Sequence, residues 1–247
     1  MKKQTAVLLA LIAALALTTL ACGVTINLPN VEKGNGSVAE ETREIGSFSE
    51  IEFSGIGEIN VTLGEEESLT VSAEDNLLPY LETYTRGDKL VIEVQDGVNI
   101  TPTETIRFDI TVVSLNAISV SGLGDVSLPE LEADRFSVSI SGAGDVEIAS
   151  LDAERLTAEM SGLGDLSVNG GTVTSQEINI SGAGKYSAPQ LDSSTAEVSV
   201  SGVGSATVRA SETLDVSISG TGGVDYYGSP QVKSDISGIG DLDHLDD

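Results

Sequence analysis

Residues 137–168 read SVSISGAGDVEIASLDAERLTAEMSGLGDLSV, a stretch that holds the tetrapeptide Ser-Gly-x-Gly twice, at Ser141 and Ser161. Outward from it the same tetrapeptide starts at Ser121, Ser181 and Ser201, each step being 20 residues. Two further copies follow at Ser219 and Ser237 after steps of 18, and an outlying copy sits at Ser54. Val138 and Ile140, then Val146 and Ile148, alternate with polar residues at the period of two expected of half-buried strands. A fixed period in this range marks a repeat architecture whose units bury their apolar faces only against one another.

Aligned on the glycines, the repeats give columns. Val138, Ala158, Ile178, Val198 and Val216 share one; Ile140, Met160, Ile180, Val200 and Ile218 share the next. After the glycines come Val126, Val146, Leu166, Tyr186, Ala206 and Val224, then Leu128, Ile148, Val168, Ala188, Val208 and Tyr226. One such turn cannot close a core, because its inward side chains have no neighbours above or below. Stacking turns by parallel strand pairing, about 4.8 Å per coil, makes each column a continuous filling. The pattern therefore predicts an all-β fold, a single-stranded parallel β-helix (β-solenoid) with coils of about 20 residues. Roughly 200 residues would make about ten coils. The corner glycines are Gly122, Gly124, Gly142, Gly144, Gly162, Gly164, Gly182, Gly184, Gly202 and Gly204. They are expected to supply the positive φ that a tight change of direction often requires. A β-sandwich or antiparallel barrel also has short alternating strands but needs no constant period.

The expected organisation is a signal peptide over 1–21, a tether over 22–46, a β-helix over 47–242 and an acidic tail over 243–247. Within the β-helix, 47–118 reads as irregular first coils or a capping unit and 119–242 as regular repeats. Pro79 and the turn signals Arg86-Gly87-Asp88 and Asp96-Gly97 carry the irregular reading. Asn76 to Thr85 is the nearest thing to a helix, and it is short and contains Pro79.

Lys2 and Lys3 precede an apolar run from Ala6 to Leu17 and then Leu20-Ala21-Cys22-Gly23, the plan of a secretory signal. Cys22 is the only cysteine, so an intrachain disulfide is excluded. Its setting resembles a bacterial lipobox, which implies a lipidated Cys22 as the mature first residue and a membrane-anchored, extracytoplasmic chain; Thr19 stands where that signal usually has Leu. Removing 1–21 leaves 10 basic against 39 acidic residues, a net charge of 10 − 39 = −29. Such a surface repels nucleic acid and anionic headgroups, so membrane association would rest on the acyl chains.

Catalytic motifs are scarce. Gly122-Leu123-Gly124 lacks the third glycine and following helix of a nucleotide-binding loop. His244 is the only histidine and lies among Asp241, Asp243, Asp246 and Asp247, which reads as a solvated terminus. The serines before the glycines form one repeat position, a column whose hydroxyls can bond to each other or to adjacent backbone. Asp125, Asp145 and Asp165 stand at one position in three successive coils, before Lys185. They read as a solvated acidic ridge or, more weakly, as a calcium site. No cofactor is expected.

The run FSEIEFSGIGEINVTLGEEESLTVSAEDNLLPYLETYTRGDKLVIEV, then RFDITVVSLNAISVSGLGDVSL and the Ser-Gly-x-Gly repeats, resembles the head GIN domain family of auto-transporter adhesins over about residues 47–240. The resemblance implies a right-handed β-helix on a bacterial envelope protein, often a lipoprotein, with no catalytic residues to carry over. The expected function is non-enzymatic: a lipoprotein displaying a protein- or glycan-binding or adhesive surface, with a structural or envelope-stress module as the alternative. A polysaccharide-acting β-helix enzyme is a minor third reading.

Overall fold

In the computed structural model, which describes residues 30–246, the strands Val126–Ile140 and Val146–Met160 each wind through three sides of a coil and pair in parallel throughout. Pairing continues coil to coil: Val138 opposes Ala158, then Ile178, Val198 and Val216, and Ile140 opposes Met160, Ile180, Val200 and Ile218. All these side chains are buried, as are Val126, Val146, Leu166, Tyr186, Ala206 and Val224 in the next column. The chain is a parallel β-helix. From Thr213 the register shortens to 18, with Thr195 opposite Thr213, and the short coil turns at Ser211 and Glu212, whose N–H groups donate to Ser193 O and Ser194 O.

A further column, Phe136, Leu156, Gln176, Ala196 and Leu214, precedes those of Val138 and Ile140 on the same side of the coil and is buried. Gln176 is polar there for a reason the neighbouring column supplies. Its Oε1 accepts from the fully buried Tyr186 hydroxyl at 2.9 Å, and its Nε2 donates to Ser193 Oγ and Arg209 O. A buried phenol left unpaired would cost about 1–3 kcal/mol. Burial also pushes the Tyr186 pKa up, so the hydroxyl remains a donor.

The corner glycines are not there for positive φ. Positive φ occurs among the described residues at Gly36, Gly57, Gly87, Gly97, Gly171 and Gly228, hence at none of the ten expected positions. Close approach explains them instead. A Cβ on Gly142 would run into Gly122 O, one on Gly162 into Gly142 O, and one on Gly144 into Gly124 O. The contact repeats through Gly55, Gly122, Gly142, Gly162, Gly182, Gly202, Gly220 and Gly238, so eight corners stack with backbone directly on backbone.

Eight corners, rather than about ten coils, follow from how the first third of the domain is used. The copy at Ser54 is the corner next to Ser121: strand Glu50–Phe53 pairs in parallel with Ala117–Val120, and Glu58–Leu63 with the start of Val126–Ile140. Residues 64–113 leave the solenoid path and fold over its exposed end. Lys89–Val94 and Arg107–Val112 add parallel strands, Leu81–Arg86 and Ser68–Glu74 then pair antiparallel to them, and Val38–Arg43 adds antiparallel to Ser68–Glu74. The two-residue turn Gly87-Asp88 joins one hairpin, with Gly87 at φ 64°. Antiparallel hairpins suit a cap because they need no crossover, and solenoid ends need one. One reading is thereby corrected: Val38–Arg43 is a strand inside the stretch read as a tether. Asn76 to Thr85, the nearest thing to a helix in the sequence, holds only a 3-10 turn at Leu78–Tyr80 followed by a strand. Cys22 and the expected signal peptide lie outside the described residues.

Glu74 latches the cap. Its buried carboxylate accepts from Thr103 Oγ1 and Gly36 N at 2.6 Å each and from Thr103 N at 2.9 Å, binding two loops to one strand. Gly34 has no side chain because that carboxylate fills the space. The Thr103 hydroxyl, joined by the backbone N–H groups and opposed by burial, holds the Glu74 carboxyl at about 2, below its ordinary 4.5. A carboxyl depressed on folding contributes stability above its unfolded pKa and loses it as pH falls through the folded one. Glu74→Gln is therefore expected to lower the urea midpoint at pH 7, with the gap to wild type closing between about pH 4.5 and 2. A gap that stays constant down to pH 2 would show that the charge is irrelevant.

Candidate interaction surface

From Ser121 onward each Ser-Gly-x-Gly corner turns its x side chain outward, whereas Ile56 at the Ser54 corner packs partly against the core. Ile56, Leu123, Ala143, Leu163, Ala183, Val203, Thr221 and Ile239 follow one another along the stack, tied by Leu123 N to Gly55 O, Leu163 N to Gly142 O, Val203 N to Gly182 O and Ile239 N to Gly220 O. Leu123, Leu163, Val203 and Ile239 are 57, 70, 68 and 81% exposed. A coil spacing of about 4.8 Å makes this a continuous apolar ridge rather than scattered residues. The sequence displayed it in the x column, which reasoning centred on the glycines passed over.

The exposed serines at 121, 141, 161, 181 and 201 border the ridge on one side. Backbone, more than hydroxyl, satisfies this corner: Ser141 N donates to Val120 O and Ser161 N to Ile140 O, while Ser121 Oγ reaches Phe53 O at 3.4 Å. On the other side Asp125, Asp145 and Asp165 form a ladder that neither earlier reading contained. Asp125 Oδ1 accepts from Asp145 N at 3.3 Å, Asp145 Oδ1 from Asp165 N at 2.8 Å, and Asp165 Oδ1 from Lys185 N at 2.7 Å. Each carboxylate caps the next coil's backbone, so one oxygen is committed to protein. Among the described residues no three His, Cys, Asp or Glu side chains converge as metal ligands.

His244 is exposed, as a solvated terminus would have it, but it is held by a strand. Strand Ile239–His244 carries it onto the Tyr226 ring at 4.9 Å, with Nε2 2.8 Å from Gly228 O. A groove of about 720 Å³ is lined by Leu63, Val113, Ser114, Leu115, Leu131 to Asp134 and Asp152 to Glu154. Its lining mixes aliphatic side chains with four carboxylates. What these arrangements offer is contact: an apolar ridge between hydroxyl and carboxylate borders.

Solved structures share this architecture. A putative adhesin from Bacteroides fragilis superposes with a TM-score of 0.82 at 25% identity, over 86% of this chain and 99% of that one. A putative adhesin from Parabacteroides merdae matches at 0.72 and 19% identity over 87% of this chain and 99% of that one. A protein described as a putative lipid binding protein from Parabacteroides distasonis matches at 0.69 and 22% over 87% and 100%. No curated protein matches in sequence. The family model described as "Putative auto-transporter adhesin, head GIN domain" matches residues 47–230, from the first coil through the last tyrosines of the solenoid, so the chain belongs to the head GIN domain family.

Proposed function

We propose that this chain is a non-enzymatic, extracytoplasmic adhesion module that contacts its partner through the apolar corner ridge. The observation that carries the reading is a row of outward Leu, Val and Ile side chains in a chain with 39 acidic and 12 basic residues, whose charge would otherwise keep other surfaces away. Rigid backbone beneath the ridge lowers the entropy cost of binding there. Membership in a family of adhesins supports the same class of role. The partner class is an envelope protein or glycan surface.

Immobilised protein retained on envelope fragments would test this. Leu163→Asp with Val203→Asp is expected to abolish retention while leaving stability within about 1 kcal/mol, both positions being exposed. Retention of wild type and variant alike would remove the ridge from the reading. A wild type that is not retained would favour a structural envelope module instead.

The anchor belongs to the same proposal. A lipidated Cys22 would hold the domain at a membrane, each buried methylene contributing about 0.8 kcal/mol. Cys22→Ser is expected to move the protein from the membrane to the soluble fraction. A wild-type protein already soluble, and beginning elsewhere by mass spectrometry, would refute it.

A further inference from the structure

Among the described residues the solenoid is covered at one end only. Over the first coils lie the antiparallel strands of residues 38–94, and Leu69, Leu77 and Phe108 there are fully buried. At the other end Gln231–Ile236 pairs with Thr213–Ile218, and Ile239–His244 with Thr221–Tyr227. Among the described residues nothing pairs with the outer side of either strand. The core columns lose their cover there: Ile218 is fully buried, whereas Ile236, next in its column, is 41% exposed, and Val232 is 41% exposed where Leu214 is 1%. Half of the N–H and C=O groups of these two strands face outward as an unpaired ladder, which natural sheets normally blunt.

We propose that this edge captures an extended peptide segment of another protein, added as one more parallel or antiparallel strand, with basic side chains alternating with apolar ones. The alternation follows from the pleat. On Ile239–His244, Leu242 points along the Val224 column, while Asp241 and Asp243 point outward on either side of it, and Asp243 lies directly opposite Asp225. An added strand would set an apolar residue against Leu242 and its two neighbours against Asp241 and Asp243. Lys or Arg at those neighbours forms favourable cross-strand pairs, whereas acidic residues repel. Lys233 is already paired with Asp215 at 3.0 Å, so it does not neutralise these aspartates. The same charges argue against a second copy of the chain as occupant, because an end-to-end dimer would press Asp241 and Asp243 against their own kind on a partner that also carries −27. Main-chain hydrogen bonds would supply affinity and the alternating side chains specificity, as in other strand-addition modes.

The test uses the full chain and a capped heptapeptide, Lys-Leu-Lys-Leu-Lys-Leu-Lys, followed by hydrogen exchange and fluorescence anisotropy. Amides of residues 231–244 are expected to exchange fast alone and to slow on peptide addition, with a Kd of roughly 100 µM or tighter. Asp241→Lys with Asp243→Lys, both outward and exposed, is expected to weaken binding by about fivefold or more. A block peptide of the same composition, Lys-Lys-Lys-Lys-Leu-Leu-Leu, and an alternately N-methylated heptapeptide are expected not to bind. Slow exchange of these amides without peptide would show the edge already covered by this chain or a second copy, and would overturn the proposal. Equal binding of the N-methylated peptide would overturn it too, as would no protection at millimolar peptide. Leu163→Asp with Val203→Asp lies outside this edge, so failure here and failure of the adhesive ridge are separately readable.

Discussion

Gly162→Ala is expected to destabilise the protein by about 3 kcal/mol or more, a large effect for adding one methyl group. The methyl would be aimed at Gly142 O, with Ser141 C and O close behind, so backbone rather than a flexible side chain must move. Movement is costly because the corner is tied on both sides: Gly162 N donates to Ile140 O and Leu163 N to Gly142 O, while Gly182 repeats the same close approach one coil later. Prising the corner away from Gly142 therefore lengthens both hydrogen bonds to the coil below and pushes it into the close approach of Gly182 above. Gly223→Ala is the control. Its Cβ would meet nothing nearer than Asp241 O at 3.6 Å, an ordinary contact, and its stability is expected to stay within about 0.5 kcal/mol of wild type. Urea unfolding of the two variants decides the matter; a Gly162→Ala midpoint like that of Gly223→Ala would mean that the corners are not held by close approach.

The difference between these glycines shows what the sequence could and could not convey. Period 20 fixed which residues share a coil position, and the pairing of Val138 with Ala158 and of Ile140 with Met160 follows from it. Period alone does not say why a glycine recurs. Tight turning and backbone stacking leave the same letters, and only the φ values and the direction of the missing Cβ separate them. The Ser54 copy had a similar ambiguity. Its tetrapeptide marked it as a corner, yet the distance along the chain to Ser121 hid that the two are spatial neighbours, because the cap occupies the intervening residues. Val38–Arg43 was harder still, for it joins the sheet through backbone pairing and only two of its residues are half-buried, so no apolar alternation announces it.

At the surface the outward Leu, Ala and Val of the x column were in plain view as letters, but a hydrophobic residue between two glycines carries no sign of which way it points. The Asp ladder was legible as a column and illegible as a set of caps. Whether a carboxylate faces solvent, a cation or the next coil's N–H depends on the coil's rotation at the corner, which fixes Asp145 Oδ1 at 2.8 Å from Asp165 N. Gln176 likewise has its partner in another column, the Tyr186 hydroxyl ten residues on, which alignment of its own column does not show. Repetition makes columns readable; contacts between different columns need the coil's cross-section.

Val198→Asp is expected to cost on the order of 4 kcal/mol, whereas Ser199→Asp, one residue away, should stay within about 0.5. Val198 is 1% exposed, with Ile178 on one side of it in the column and Val216 on the other, both buried. A carboxylate there has aliphatic neighbours within its column and must stay buried and unpaired, take up a proton, or pry the coils apart. Ser199 points the opposite way, between the polar Asn179 and Ser217, where a charge stays hydrated. Acidity separates these routes. If the introduced carboxyl stays buried, its folded pKa lies above its unfolded one. Its neutral form is then the tolerated one, and the deficit against wild type shrinks as pH falls toward the ordinary carboxylate range. If the coil opens instead, the carboxyl is hydrated in both states, and the deficit should not change with pH. Hydrogen exchange would then show the loss of protection centred on residues 195–200 and their partners 175–180 and 213–218, because each coil in a solenoid leans only on its neighbours. Equal melting of the two variants would reverse the assignment of inward and outward faces on which every column depends.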